Sequence, residues 1–417
     1  MKAAENVTVR AGISGDSRIR LRHLTARRDR DGWVIGRIET GDFVAVPDTA
    51  YRVVTLVGEG KTIHEVSAAL RAETGKRFDV ADFVTAFDEL GFIEAVDGEG
   101  RSDENLIRPS WPWLRPGHVR WLLHPAMPFV VATAAVTAAV IMVLRPALVP
   151  SYRMLVWNRH AGLVLAVNAA IAWTLILLHE SAHLATARAA GVPGRITLTT
   201  RLQFLAAQTD VSGVWAAPRR IRLTVYLAGM GVQACCIAIC LLIIVLTGAR
   251  GLTLELLCVV TTQSVISLPL QFMVFMRTDI YFVLQDFSGC ADLYADGSRY
   301  LRYLGRRARG AARQEPDPTS TYSPRQRRAV HAYSVILCVG TVACLAVEFA
   351  VSLPALVTFV VRAVSEMNTT IAATADGSVA LAILLVWQFL WASRWWHGHR
   401  HQVQSFARHY LRPSQGR

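Results

Sequence analysis

The residues best suited to chemistry stand in the segment TLILLHESAHLATARAAG, where His179, Glu180 and His183 form an H-E-x-x-H sequence. On a helix, positions i and i+4 share a face one turn apart, and i+1 lies about 100° round from the first. Two neutral imidazoles spaced in this way share one metal ion and leave the intervening carboxylate close to its water. Zinc held like this lowers the pKa of that water toward about 7, and a neighbouring Glu can accept its proton as it attacks a peptide carbonyl. A soluble helix can carry the same pattern on a solvated face without function. Here the flanking residues are apolar for more than a turn on the N-terminal side. Ionisable groups within a membrane span are costly and usually functional, which favours metal binding at this position.

Catalytic zinc needs a third protein ligand and an open coordination position. Three carboxylates compete for that role. Asp279 lies just beyond an apolar run in LPLQFMVFMRTDIYFVLQD, Asp286 follows seven residues later on nearly the same helical face, and Asp210 precedes both in an intervening loop. Spacing favours Asp279, because its span and that of His183 are expected to run toward the same side of the membrane.

The positioning elements are expected to be mainly α-helical. Hydrophobic residues make up 53% of the 417 residues and charged ones 18%, and mean hydropathy is +0.32. This balance is too apolar for an ordinary soluble enzyme. Six spans are predicted at about 125–144, 162–187, 223–247, 252–276, 331–360 and 378–393; most reach the roughly 20 residues that cross a bilayer core, and the last is the marginal one. The net charge of +13 is unevenly placed. Connections at 145–161, 248–251 and 361–377 hold five Arg, whereas those at 188–222 and 277–330 and the tail from 394 hold 21 Lys or Arg. Positive residues favour the cytoplasmic side, so a multi-pass protein of the cell membrane with both termini in the cytoplasm is expected. No compact apolar core of a secretory signal opens the chain.

Ahead of the spans, residues 1–30 read as a basic, irregular arm, and residues 31–97 read as a small α+β domain. GWVIGRI and GDFVAV suggest strands, Asp48–Val57, Thr62–Thr74 and Asp79–Leu90 suggest helices, and GFIEAV suggests a closing strand. That order suggests a winged helix, with residues 98–123 as a linker and 124–417 as the membrane domain. DNA binding is disfavoured. The third helix, DVADFVTAFDEL, carries Asp79, Asp82, Asp88 and Glu89 and no Lys or Arg, the wrong sign for approaching phosphates. The Arg-rich segment 299–328 suits a cytoplasmic loop attracted to anionic lipid, and the basic tail follows the last span.

Several other features bear on the membrane part. GRITLTTRLQFLAAQTD alternates apolar and polar residues and predicts a strand or hairpin, which either covers the site or adds a substrate segment as an extra strand. Asn168 and Glu348 are polar groups inside spans, open to roles in a water path or in helix packing. Six of the seven cysteines, at 235, 236, 240, 258, 290, 338 and 344, fall in apolar stretches and read as small buried hydrophobes.

The chain resembles the site-2 protease family of intramembrane zinc metalloproteases, in the branch that carries a PqqD-like domain ahead of the membrane part. The resemblance covers about residues 33–305. It rests on HESAH, on FLAAQTDVSGVWAAPRRIRLTVYLAGM and TDIYFVL, and on TAYRVVTLVGEGKTIHEVSAAL followed by a helix and GFIE. It implies one Zn2+ per chain on His179, His183 and Asp279, with Glu180 as general base. It also implies a substrate that is a membrane-protein segment or a ribosomally made peptide presented by the N-terminal domain. Two residues depart from the family pattern: Ile280 stands where relatives carry Gly after the ligand Asp, and Met230 where they carry Pro after Ala-Gly. The competing expectation is a non-catalytic, zinc-containing membrane protein that binds, tethers or exports a peptide.

Overall fold

The computed structural model describes residues 13–29, 32–103, 106–202, 204–310, 315–367 and 370–410. The chain divides into two compact units. One comprises the described residues up to Pro116 with Ala187–Arg195 and Val211–Arg222; the other comprises Gly117–Thr186, Ile196–Asp210 and the described residues from Leu223 onward.

In the first unit, β1 (Ile19–Leu21), β2 (Thr25–Asp29), β3 (Gly32–Gly36) and β4 (Phe43–Val46) precede three helices. Strand β3 pairs antiparallel with both β2 and β4. Helix α1 (Asp48–Gly58) follows Pro47 and buries Ala50, Val53, Leu56 and Val57, the spacing of one helical face. Helix α2 (Ile63–Thr74) starts at a Thr62–Glu65 capping box and stops at Gly75, whose φ of 69° suits glycine. Helix α3 (Val80–Glu89) is capped by the Asp79 carboxylate and buries Val80, Val84 and Phe87. Strands β5 (Ile93–Val96) and β6 (Glu99–Gly100) close the unit, and β5 pairs with β1. Ile19, Val53, Leu56, Val66, Phe87, Phe92 and Ile93 share one apolar core. Residues 19–29, expected to be irregular, therefore lie largely in strands, because backbone pairing with β5 and β3 satisfies an edge that side-chain alternation does not announce. Beyond β6, Asp103 takes a two-pronged ion pair from the buried Arg37, at 2.9 and 2.8 Å.

The remaining helices begin with the short α4 (Pro116–Val119) and α5 (Met127–Leu144). They continue through α6 (Ala161–Ala189), strands β7 (Arg195–Arg201) and β8 (Phe204–Asp210), α7 (Arg219–Thr247), α8 (Gly251–Leu270), α9 (Asp279–Ser288) and α10 (Leu293–Ala308). The last are α11 (Pro324–Val347), α12 (Leu353–Glu366) and α13 (Ile371–Tyr410). Among the described residues, six helical stretches are long and apolar enough to cross a membrane: α5, α6, α7, α8, the run Pro324–Ser365 and Ile371–Arg400.

Three spans differ from expectation; the sixth runs over Ile371–Arg400 and not only 378–393. The fourth ends at Leu270 and not near 276, because Pro269 lies in its last turn and the chain leaves through a 3-10 turn at Val274–Met276. Asp279 therefore opens a separate helix. The fifth is longer than expected and is interrupted by a π-helical turn at Glu348–Ser352, just ahead of Pro354, which has no N–H to continue the regular ladder. Asn168 serves helix packing: its side-chain amide donates to the Leu155 carbonyl at 2.8 Å and its oxygen accepts from Trp157 Nε1 at 3.4 Å. All seven cysteines are free.

Candidate metal centre

Helix α6 presents His179 and His183, both buried, one turn apart. Asp279, the first residue of α9, faces them. Its position is set by the break after α8. Thr278 Oγ1 donates to the Gln271 carbonyl at 2.6 Å, and the Asp279 N–H donates to Gln271 Oε1 at 3.4 Å. The chain thus folds back on the end of α8 and turns the carboxylate toward α6.

Ligand atoms of His179, His183 and Asp279 lie within 4.8 Å of one another. The two Nε2 atoms are 3.1 Å apart. His179 Nε2 is 3.1 Å from Asp279 Oδ2, and His183 Nε2 is 3.3 Å from Oδ1. A tetrahedral ion with bonds of about 2.0–2.1 Å needs donor atoms roughly 3.3 Å apart, so these separations fit one small divalent cation.

Tautomer chemistry leads to the same conclusion. His183 Nδ1 is 2.7 Å from the Val225 carbonyl oxygen. A carbonyl only accepts, so Nδ1 carries a proton, and when the ring is neutral, as a metal ligand must be, Nε2 presents a bare lone pair. That lone pair faces a second imidazole nitrogen and a carboxylate. Asp279 Oδ2 and His179 Nδ1 are both buried without a hydrogen-bond partner among the described residues. The two Nε2 atoms and the Asp279 carboxylate converging in a buried site suit a cation. The Val225 contact is also the kind of outer hydrogen bond that orients metal-binding histidines.

Glu180 is held by the hairpin. Its Oε2 accepts from the Thr209 N–H and from Thr209 Oγ1, both at 2.7 Å, and Oγ1 also approaches the Glu180 carbonyl at 3.0 Å. No described residue hydrogen-bonds Oε1, which leaves that oxygen available.

Family models, curated proteins and solved structures yield no match to this chain. Asp279 is the carboxylate brought to the histidines, while Asp210 and Asp286 do not belong to the three-residue group. Two contributors carry no signal of their own in the sequence. Thr209 lies in the expected hairpin but has no motif of its own. Gly229 lies in YLAGM, and a Cβ added there would fall 2.3 Å from the His179 ring. Helix α7 therefore seats both imidazoles, through the Val225 carbonyl for His183 and a missing side chain for His179.

Proposed function

We propose that this protein is an intramembrane zinc metalloendopeptidase of the site-2 protease type. The observation that carries the reading is the convergence of His179, His183 and Asp279 at donor separations of 3.1–3.3 Å, with Glu180 beside them on an apolar helix. Two imidazoles and one carboxylate are a donor set suited to Zn2+ with an open fourth position. A zinc ion there would supply Lewis acidity, polarising a peptide carbonyl and making water acidic near neutral pH.

The chain's own residues account for the proton. Glu180 is fixed through Oε2 by Thr209 and keeps Oε1 free to accept a proton from the attacking water. The same oxygen then returns it to the leaving amine, the ordinary double duty of a general base. His183 keeps its acceptor nitrogen toward the centre because Val225 holds the other N–H. Strands β7 and β8 form a two-stranded sheet, and an unpaired edge suits the addition of an extended substrate strand.

Cleavage near the cytoplasmic face of the cell membrane is supported by the distribution of Lys and Arg. A ribosomally made peptide is the favoured substrate, because the N-terminal unit combines small sheets with three helices in the order of a PqqD-like domain, a type that binds leader peptides. A membrane-protein segment is the second candidate. The test compares peptides that accumulate in cells carrying the wild-type protein with those in cells carrying Glu180→Ala. An uncleaved precursor specific to the variant supports hydrolysis. Full function in the variant would favour the non-catalytic, peptide-tethering reading.

A further inference from the structure

The turn between β3 and β4 is closed on itself and packed on its outer side. Arg37 N–H donates to the Asp42 carbonyl at 3.0 Å and Gly41 N–H to the Arg37 carbonyl at 2.9 Å, with Gly41 at φ 75°, a value that suits glycine. The compact unit that holds this turn also contains the two connectors flanking the hairpin, Ala187–Arg195 leading into β7 and Val211–Arg222 following β8. The turn is seated against both. A Cβ on Gly41 would fall 3.0 Å from Ser212 Cβ, and one on Gly213 would fall 2.7 Å from Val192 Cγ1 and 3.1 Å from the Ile38 carbonyl oxygen. Arg27 Nε of β2 donates to the Trp215 carbonyl at 3.3 Å. The stretch beyond β6 joins the same seam, where Ile107 N–H donates to the Glu39 carbonyl and Ser110 N–H to the Gly194 carbonyl, both at 2.9 Å. Val192, Gly213 and Val214 are buried there.

The seam is continuous along the chain with the residues that hold the base and one ligand. Ser212 stands three residues after Thr209, whose N–H and hydroxyl grip Glu180 Oε2. In the other direction, the 3-10 turn Ser212–Ala216 runs through Ala217, whose N–H donates to the Val214 carbonyl and whose carbonyl accepts from Arg222 Nη1 at 2.9 Å. Three residues later comes Val225, whose carbonyl meets His183 Nδ1. Close-packed segments transmit a displacement and do not absorb it. A flexible linker would suffice for a unit that only presented peptide.

We propose that the N-terminal unit positions the general base: seated on Ser212–Ala216 through its β3–β4 turn, it sets how Thr209 meets Glu180, with Gly41 and Gly213 as positioning residues. Hydrolysis is thereby coupled to the state of the unit expected to take the peptide. This deepens the protease reading and rests on it for the role of Glu180.

The experiment follows the Thr209 N–H by hydrogen exchange in full-length protein in phosphatidylcholine nanodiscs, with fragmentation that resolves single amides. That N–H donates to Glu180, so its exchange reports the clamp itself. Gly213→Ala, which drives a methyl against Val192, is expected to speed the exchange about tenfold. Gly41→Ala, on the opposite side of the seam, is expected to act in the same direction. Adding Val192→Ala makes room for the new methyl and is expected to bring the Gly213→Ala protein back to within about threefold of wild type. Protection in α1 and β5 and zinc content should stay unchanged, which separates lost seating from lost folding. In cells, the precursor that accumulates with Glu180→Ala is expected to accumulate in part with Gly213→Ala and to clear when Val192→Ala is added. Wild-type exchange at Thr209 in both glycine variants, or an increase that Val192→Ala leaves in place, would overturn the proposal. So would an equal increase across α1 and β5, which would make the two glycines structural only. The protease reading fails separately, if cells carrying Glu180→Ala accumulate no precursor.

Discussion

Thr209 grips the Glu180 carboxylate with two donors at 2.7 Å, its backbone N–H and its hydroxyl, both directed at Oε2. One strand residue thereby decides which carboxylate oxygen is free. Thr209→Val removes the hydroxyl and keeps the shape and the backbone donor. A hydrogen bond to a charged group contributes about 1.5–3 kcal/mol, so peptide cleavage is expected to fall at least about tenfold while bound zinc is unchanged. Thr209→Ser should restore most of the activity. Cleavage by Thr209→Val at the wild-type rate would remove Thr209 from the account.

Gly229 tests the seat of the histidines. The Cβ of Gly229→Ala would fall 2.3 Å from Cε1 and Nε2 of His179, so the ring must rotate away from Asp279. Zinc affinity is expected to drop about tenfold or more, within the range seen when residues supporting a metal ligand are changed. Titration against a competing chelator measures this. Undiminished affinity would mean that His179 is free to move without leaving the site.

Asn168 separates packing from chemistry. Its contacts to Leu155 and Trp157 assign it to packing, so Asn168→Leu is expected to destabilise the membrane part by about 1 kcal/mol. Zinc content and cleavage per folded molecule should stay at wild-type values. A fall in cleavage without a lower Tm would return Asn168 to a water path.

The Arg37–Asp103 pair has a pH signature. The Arg37 guanidinium bonded to Asp103 holds its carboxyl below the usual range. A carboxylate with a depressed folded pKa stabilises fully above its unfolded value of about 3.9. That contribution is lost as pH falls through the folded value. Asp103→Asn leaves the buried Arg37 without a counter-charge and is expected to cost about 1–3 kcal/mol at pH 7. Hydrogen exchange of β5 should show the difference between variant and wild type at pH 7 and its progressive loss as pH falls from about 4 through the folded value. A difference that persists unchanged into acid would contradict the pairing.

Much of the centre was legible because its signal is local. His179, Glu180 and His183 declare themselves through one helical turn within an apolar run. Asp279 was recognisable by residue type and by the side of the membrane, but Asp210 and Asp286 competed with it until the fold brought α9 back to α6. Gly229 and Thr209 were silent, because a glycine in a span and a threonine in a strand acquire meaning only from what packs against them. The six apolar helices follow from composition, whereas the early stop of α8 turns on one residue, Pro269. Strand β2, TARRD, has no apolar alternation to reveal it and forms by pairing with β3.

The central claim is that His179, His183 and Asp279 jointly hold a zinc ion that Glu180 serves without binding. Elemental analysis of protein purified from membranes tests this most directly. About one zinc per chain is expected in wild type and in Glu180→Gln, and little in His183→Ala or Asp279→Ala. Wild-type protein without stoichiometric zinc, or Asp279→Ala retaining it, would contradict the account.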